Sequence, residues 1–199
     1  MKKIFIAAVA LLCLAGTAAA QRHIEFRWHG VYFTGDVSYA FNLNRSNDSG
    51  IADTVSGFMP SLTAGYQFRK EAGVGVGFSY LADPTGAFTQ LPVFIELRSH
   101  FLRSRLTPYT VLQVGYSLPL GTSSEPPSSK IEEGGLYLGL EVGGRYAINR
   151  SVAVALHAGY KMLQSNKVQR TDAYNVPMLT EAVTLSMINF GVSFYLGSN

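Results

Sequence analysis

From Phe88 to Leu118 the apolar and polar positions separate by parity. Leu91, Val93, Ile95, Leu97 and Phe101 alternate with Gln90, Glu96, Arg98 and His100, a period of two that predicts a strand with one apolar and one polar face. After a basic turn over Arg103 to Leu106, Leu112, Val114, Tyr116 and Leu118 oppose Tyr109, Gln113, Gly115 and Ser117, with Val111 falling on the polar side. Such a hairpin needs a different solvent at each face.

The same alternation recurs along the chain. Val31 to Leu43 predicts a first strand, with Phe33, Val37, Tyr39 and Phe41 opposite Tyr32, Thr34, Asp36, Ser38 and Ala40. Phe58 to Phe68 and Val74 to Tyr80 predict the second and third, and the hairpin above supplies the fourth and fifth. Leu136 to Ile148, Val152 to Met162 and Ile188 to Leu196 complete eight. Long polar stretches, Asn44 to Gly57, Pro119 to Gly134 and Gln164 to Ala182, read as exposed loops rich in turn-formers. They alternate with short turns at Arg69 to Ala72, Arg103 to Leu106 and Asn149 to Ser151.

An even strand number with alternating long and short connections predicts an all-β, eight-stranded, antiparallel up-and-down transmembrane barrel. A soluble barrel of the lipocalin sort has the same alternation turned inside out. Three features favour the membrane form. Gly65, Gly75, Gly77, Gly115, Gly139, Gly143, Gly159 and Gly191 all lie on the polar face, where small residues suit a crowded lumen. The apolar-face aromatics fall into two belts: Tyr39, Phe41, Phe58, Tyr80, Tyr116 and Tyr160 toward the long loops, and Tyr66, Phe68, Phe101, Tyr146 and Phe194 toward the short turns. No predicted strand carries a charge on its apolar face, where Arg or Lys at mid-bilayer costs about 2 to 4 kcal/mol.

Composition agrees. Charged residues make up 15% of the chain, against about 25% in soluble proteins, and no apolar run after the N-terminus is long enough for a helical span. Lys2 and Lys3, the apolar run Ile4 to Ala15 and the small residues Ala18 to Ala20 predict a cleaved secretory signal over 1–20, with a single barrel domain over 21–199. The only cysteine, Cys13, lies in that signal, so the exported domain has no disulfide. The 16 Lys and Arg residues include the two in the signal, which leaves 14 against 13 acids; a nucleic-acid partner has no electrostatic support.

LPVFIELRSHFLRSRLTPYTVLQVGY, the Gly-Tyr pairs at 115–116 and 159–160 and the closing INFGVSFYLGSN resemble small outer-membrane β-barrel proteins of Bacteroides-type bacteria, related in architecture to the OmpA and OmpX barrels. The resemblance implies an integral protein of a Gram-negative outer membrane. It further implies membrane lipid, the barrel assembly machinery and periplasmic chaperones as partners, and a loop ligand whose identity it leaves open. The chain departs from the pattern by continuing past its final alternating strand with Gly197, Ser198 and Asn199.

The inward face is expected to hold Asp36, Glu96, Arg98, Glu141, Arg145, His157 and Lys161. Charges in a narrow lumen need partners, so these seven read as a structural network, with three acids facing three strong bases. An ion path or a catalytic acid pair is the competing reading. For hydrolytic chemistry the histidines are badly placed: His23 and His29 precede or open strand one, while His100 and His157 point inward. Asn44, Asn47, Asp48 and Asp53 lack calcium-loop spacing, and the GVGVG run at Gly73 to Gly77 has no following helix to bind a dinucleotide. No catalytic, cofactor-binding or metal residue is therefore assigned. The expected role is structural or interactive, through the loops, with a narrow pore and an outer-membrane enzyme as alternatives.

Overall fold

The computed structural model describes residues 29–43, 56–82, 89–120, 129–171 and 177–197. The predicted signal, His23, and the loop residues Asn44, Asn47, Asp48 and Asp53 lie outside them. Eight strands form the wall: β1 Gly30–Asn42, β2 Gly57–Arg69, β3 Ala72–Ser79, β4 Thr89–His100, β5 Leu106–Pro119, β6 Gly135–Ala147, β7 Val152–Thr171 and β8 Pro177–Gly197. Two short pieces extend the wall on the long-loop side: Leu81–Ala82 continues β3, and Ser129–Glu133 precedes β6. Each strand pairs antiparallel with its sequence neighbour, and β1 pairs with β8 from Tyr32↔Gly197 to Asn42↔Met187, which closes the barrel.

The register fixes the geometry. Starting at Tyr32 and crossing strand to strand through Gly65, Gly75, Glu96, Gln113, Gly139, Lys161 and Met187, the ladder returns to β1 at Asn42, ten residues further along. With eight strands at standard spacings, that stagger tilts them by about 40° and leaves an interior just wide enough for side chains.

Burial follows parity through the wall. Phe33, Val37, Leu62, Val76, Ile95, Leu112, Leu140, Val142, Leu156 and Phe194 are exposed on the outside, while Tyr32, Asp36, Glu96, Tyr109, Glu141 and Lys161 are buried inside. The outward aromatics gather into the two expected belts. Near the long loops Tyr39 meets Phe41 at 4.7 Å and Phe58 at 5.2 Å, and near the short turns Tyr66 meets Phe68 at 5.1 Å. Val111, out of place by hydropathy, is buried in the lumen beside Tyr109, Ala153, Ala155 and Tyr195.

Two predicted loops need correction. Gln164 to Ala182 is not one long loop, because β7 and β8 run on to pair Thr171 with Pro177. Within Pro119 to Gly134, Ser129–Glu133 is a strand that pairs β7 from Ser129↔Arg170 to Glu133↔Lys167. A three-stranded sheet thus continues beyond the barrel wall, about 25 Å along β7 past Leu163 at the usual rise per residue. The first residues of the β7 extension, Gln164 to Lys167, are polar on both parities. Such a run offers no alternation that would reveal a strand.

Candidate functional site in the barrel lumen

All seven residues expected inside are buried in the lumen, but they pair differently from three acids against three strong bases. Glu96 and Arg98, two apart on β4, form one unit: Arg98 Nη2 lies 2.8 Å from Glu96 Oε1, and Nε donates to the same oxygen at 3.0 Å. From β1, the Tyr32 hydroxyl donates to that oxygen at 2.9 Å. The Tyr32 ring fits because β2 and β3 offer no side chain beneath it: a Cβ on Gly65 or Gly75 would stand 2.5 or 2.7 Å from its end.

Beyond the carboxylate, the Arg98 guanidinium sits in a cage of tyrosines, 5.2 Å from the Tyr32 ring centre, 5.9 Å from Tyr109 and 4.6 Å from Tyr195. Arg145 takes the same Tyr195 ring at 5.0 Å. Rings facing cations in a desolvated space supply attraction that a carboxylate would otherwise provide. Since β4 and β8 are diametrically opposite in the closed order, the Arg98–Tyr195 contact bridges the whole bore.

A second unit joins β6, β7 and β8. Lys161 Nζ lies 3.1 Å from Glu141 Oε1, to which Asn189 Nδ2 also donates at 3.4 Å. The third unit places the imidazole of His157, rather than a strong base, against Asp36, with Nε2 at 3.3 Å from Oδ2. Ser193 Oγ donates to the same Oδ2 at 3.0 Å and stands 3.2 Å from His157 Nδ1. Nearer the long loops the lumen turns apolar: Ala40, Met59, Leu81, Phe94, Tyr137, Leu163, Leu185 and Met187 form one buried cluster drawn from every strand but β5.

The Asp36, His157 and Ser193 trio contains the side chains of a serine hydrolase, with one contact added: the hydroxyl also meets the carboxylate directly. In the hydrolase the imidazole stands between acid and hydroxyl and takes the hydroxyl proton. Here the hydroxyl donates to the carboxylate at 3.0 Å, a bond that competes with its contact to Nδ1. The arrangement is an imidazole and a carboxylate sharing one hydroxyl.

The caging residues Tyr32, Tyr109 and Tyr195 were legible as inward by parity but not as partners of arginine. Parity assigns the face. Only the register shows which side chains meet across the bore.

These features define a class. A closed antiparallel barrel with an apolar, aromatic-belted exterior and a hydrogen-bonded polar interior satisfies its backbone in lipid, and it is a transmembrane barrel of the outer-membrane kind, placed in an outer membrane. No protein-family profile matches the chain, and neither does any curated protein. The crystal structure of Neisserial surface protein A (NspA) is similar, with a TM-score of 0.60 at 18% identity over 85% of this chain and 97% of that one. The outer membrane protein OprG from Pseudomonas aeruginosa gives 0.55 at 15% identity, covering 88% of this chain and 100% of its own. AlkL, determined in DMPC lipid bilayers, gives 0.52 at 13% identity, covering 89% and 94%.

Proposed function

We propose that this chain is a non-enzymatic outer-membrane scaffold of the small surface-protein kind, closed to conduction, whose long-loop side is the contact surface for a partner outside the cell. One observation carries the reading: Arg98 reaches from β4 to the Tyr195 ring on β8 at 4.6 Å, across the full width of the lumen. A bore crossed by a guanidinium that is also held by Glu96 is a filled interior, and the seven lumen charges serve as structural mortar. The three-stranded sheet continuing past the wall favours the loop side as the working surface. At Asp36 the Ser193 hydroxyl donates to the carboxylate as well as lying against the imidazole, which supports a structural role for the trio.

Two measurements test this together. In a planar bilayer the barrel should conduct almost nothing. A cysteine at Thr171 should label in intact cells, whereas one at Ser104 should not. Large, steady single-channel currents would replace the scaffold with the narrow pore, and the reverse labelling pattern would overturn the orientation.

A further inference from the structure

The short-turn end carries an unusual charge distribution. Among the described residues of the three short turns, Arg69, Lys70, Arg103, Arg105 and Arg150 are basic and Glu71 alone is acidic. Four of these, Arg69, Lys70, Glu71 and Arg103, line an open basin of about 540 Å³ with His29.

The turns are tied to one another. Gln67 Nε2 donates to the carbonyls of Arg69 at 2.6 Å and Lys70 at 3.2 Å, and Lys70 Nζ reaches across to the Phe101 carbonyl at 3.0 Å. At the next turn Arg105 Nε donates to the Ala147 carbonyl at 3.0 Å while its guanidinium lies 4.8 Å from the Tyr146 ring. Lys70 is engaged with Glu71 at 3.1 Å, and the Glu71 carboxyl is held below the usual carboxylate range by its own backbone N–H and by the Lys70 ammonium. Arg69 and Arg103 stay exposed. They follow directly on lipid-facing Phe68 and on Phe101 and Leu102, which sets their guanidinium groups at the level where a bilayer changes from acyl chain to headgroup.

We propose that this rim is a binding collar for the phosphate headgroups of anionic phospholipids in the leaflet facing the short turns, with Arg69 and Arg103 as its principal contacts. Guanidinium forks match phosphate oxygens in pairs, and a surface cation near an anionic leaflet gains attraction that a zwitterionic one does not supply. The basin is open, which suits a headgroup presented by the membrane better than a small anion that must be enclosed. The adjoining aromatic belt would hold the acyl chains of the same lipids.

The test uses the folded barrel in nanodiscs of equimolar phosphatidylglycerol and phosphatidylcholine, with native mass spectrometry counting the lipids that stay bound. Wild type should retain phosphatidylglycerol preferentially, and Arg69→Gln with Arg103→Gln should lower that preference by about fivefold for each arginine. The paired Lys substitutions should keep most of it, and an unchanged heat-shift on a detergent gel confirms that each variant is folded. No preference in wild type, or one untouched by the paired Gln substitutions, overturns the proposal. If 50 mM inorganic phosphate erases the preference, the rim is a free-anion site and the lipid reading fails. Because both leaflets of the nanodisc contain the anionic lipid, this outcome is independent of the proposed orientation, which the Thr171 and Ser104 labels test by themselves.

Discussion

Replacing Arg98 with alanine should be among the most damaging single changes in the barrel. Glu96 is 0% exposed and Arg98 6%, so the substitution strands a carboxylate in the lumen with the Tyr32 hydroxyl, at 2.9 Å, as its remaining partner among the contacts described above. Breaking such a pair from one side costs about 3 to 5 kcal/mol. Loss of the three tyrosine contacts lies within the same range, because the cage and the carboxylate hold one guanidinium and their effects do not add. With a urea dependence of about 2 kcal/mol per molar, the unfolding midpoint in liposomes should fall by about 2 M. Glu96→Ala should cost a similar amount by stranding the guanidinium. The double mutant should then lose at least about 2 kcal/mol less than the two singles summed. Singles below about 1 kcal/mol that add without coupling would refute the argument, since they would mean that water solvates both groups and the lumen is wet.

Two further outcomes follow from the wall. Gly65→Ala places a Cβ 2.5 Å from both the Tyr32 ring and the Val74 carbonyl oxygen; the second is backbone and cannot swing away, so the stability read from the same urea titration should drop by about 1 to 3 kcal/mol, whereas a neutral effect would show that the wall is not packed this closely at Gly65. Ile95→Lys puts a charge on the outer surface, where Ile95 is 57% exposed, and should cost about 2 to 4 kcal/mol in a bilayer; a neutral result in liposomes would place that face in water.

Most of the wall was legible because a strand between lipid and lumen must alternate, and each expected lumen charge landed inside for that reason. Legibility stopped where the reason stopped. Gln164 to Lys167 at the end of β7 are polar on both parities, so the run looks like loop although the backbone pairs as far as Thr171↔Pro177. Pairing in the lumen was beyond reach for a different cause. That Asp36 meets His157, and that Arg145 rests on Tyr195, depends on a ten-residue stagger accumulated around the barrel, which no single strand encodes. The lumen-face glycines were readable as a sign of crowding, but not which ring each one admits.

The seam between β1 and β8 has a consequence for how the molecule is made. Every other wall contact joins neighbours in sequence, but this one joins the first strand to the last, so no closed wall exists until the eighth strand arrives. Before that moment two rows of unpaired amides and carbonyls would face lipid, where they have no partner. The cluster of Asp36, Ser193 and His157 lies across this seam, with Asp36 on β1 receiving the Ser193 hydroxyl from β8 at 3.0 Å. Its hydrogen bonds can form only when the two ends of the chain meet in the right register. A slip of one residue would turn Asp36 or Ser193 toward lipid, so these bonds are available to the in-register cylinder alone.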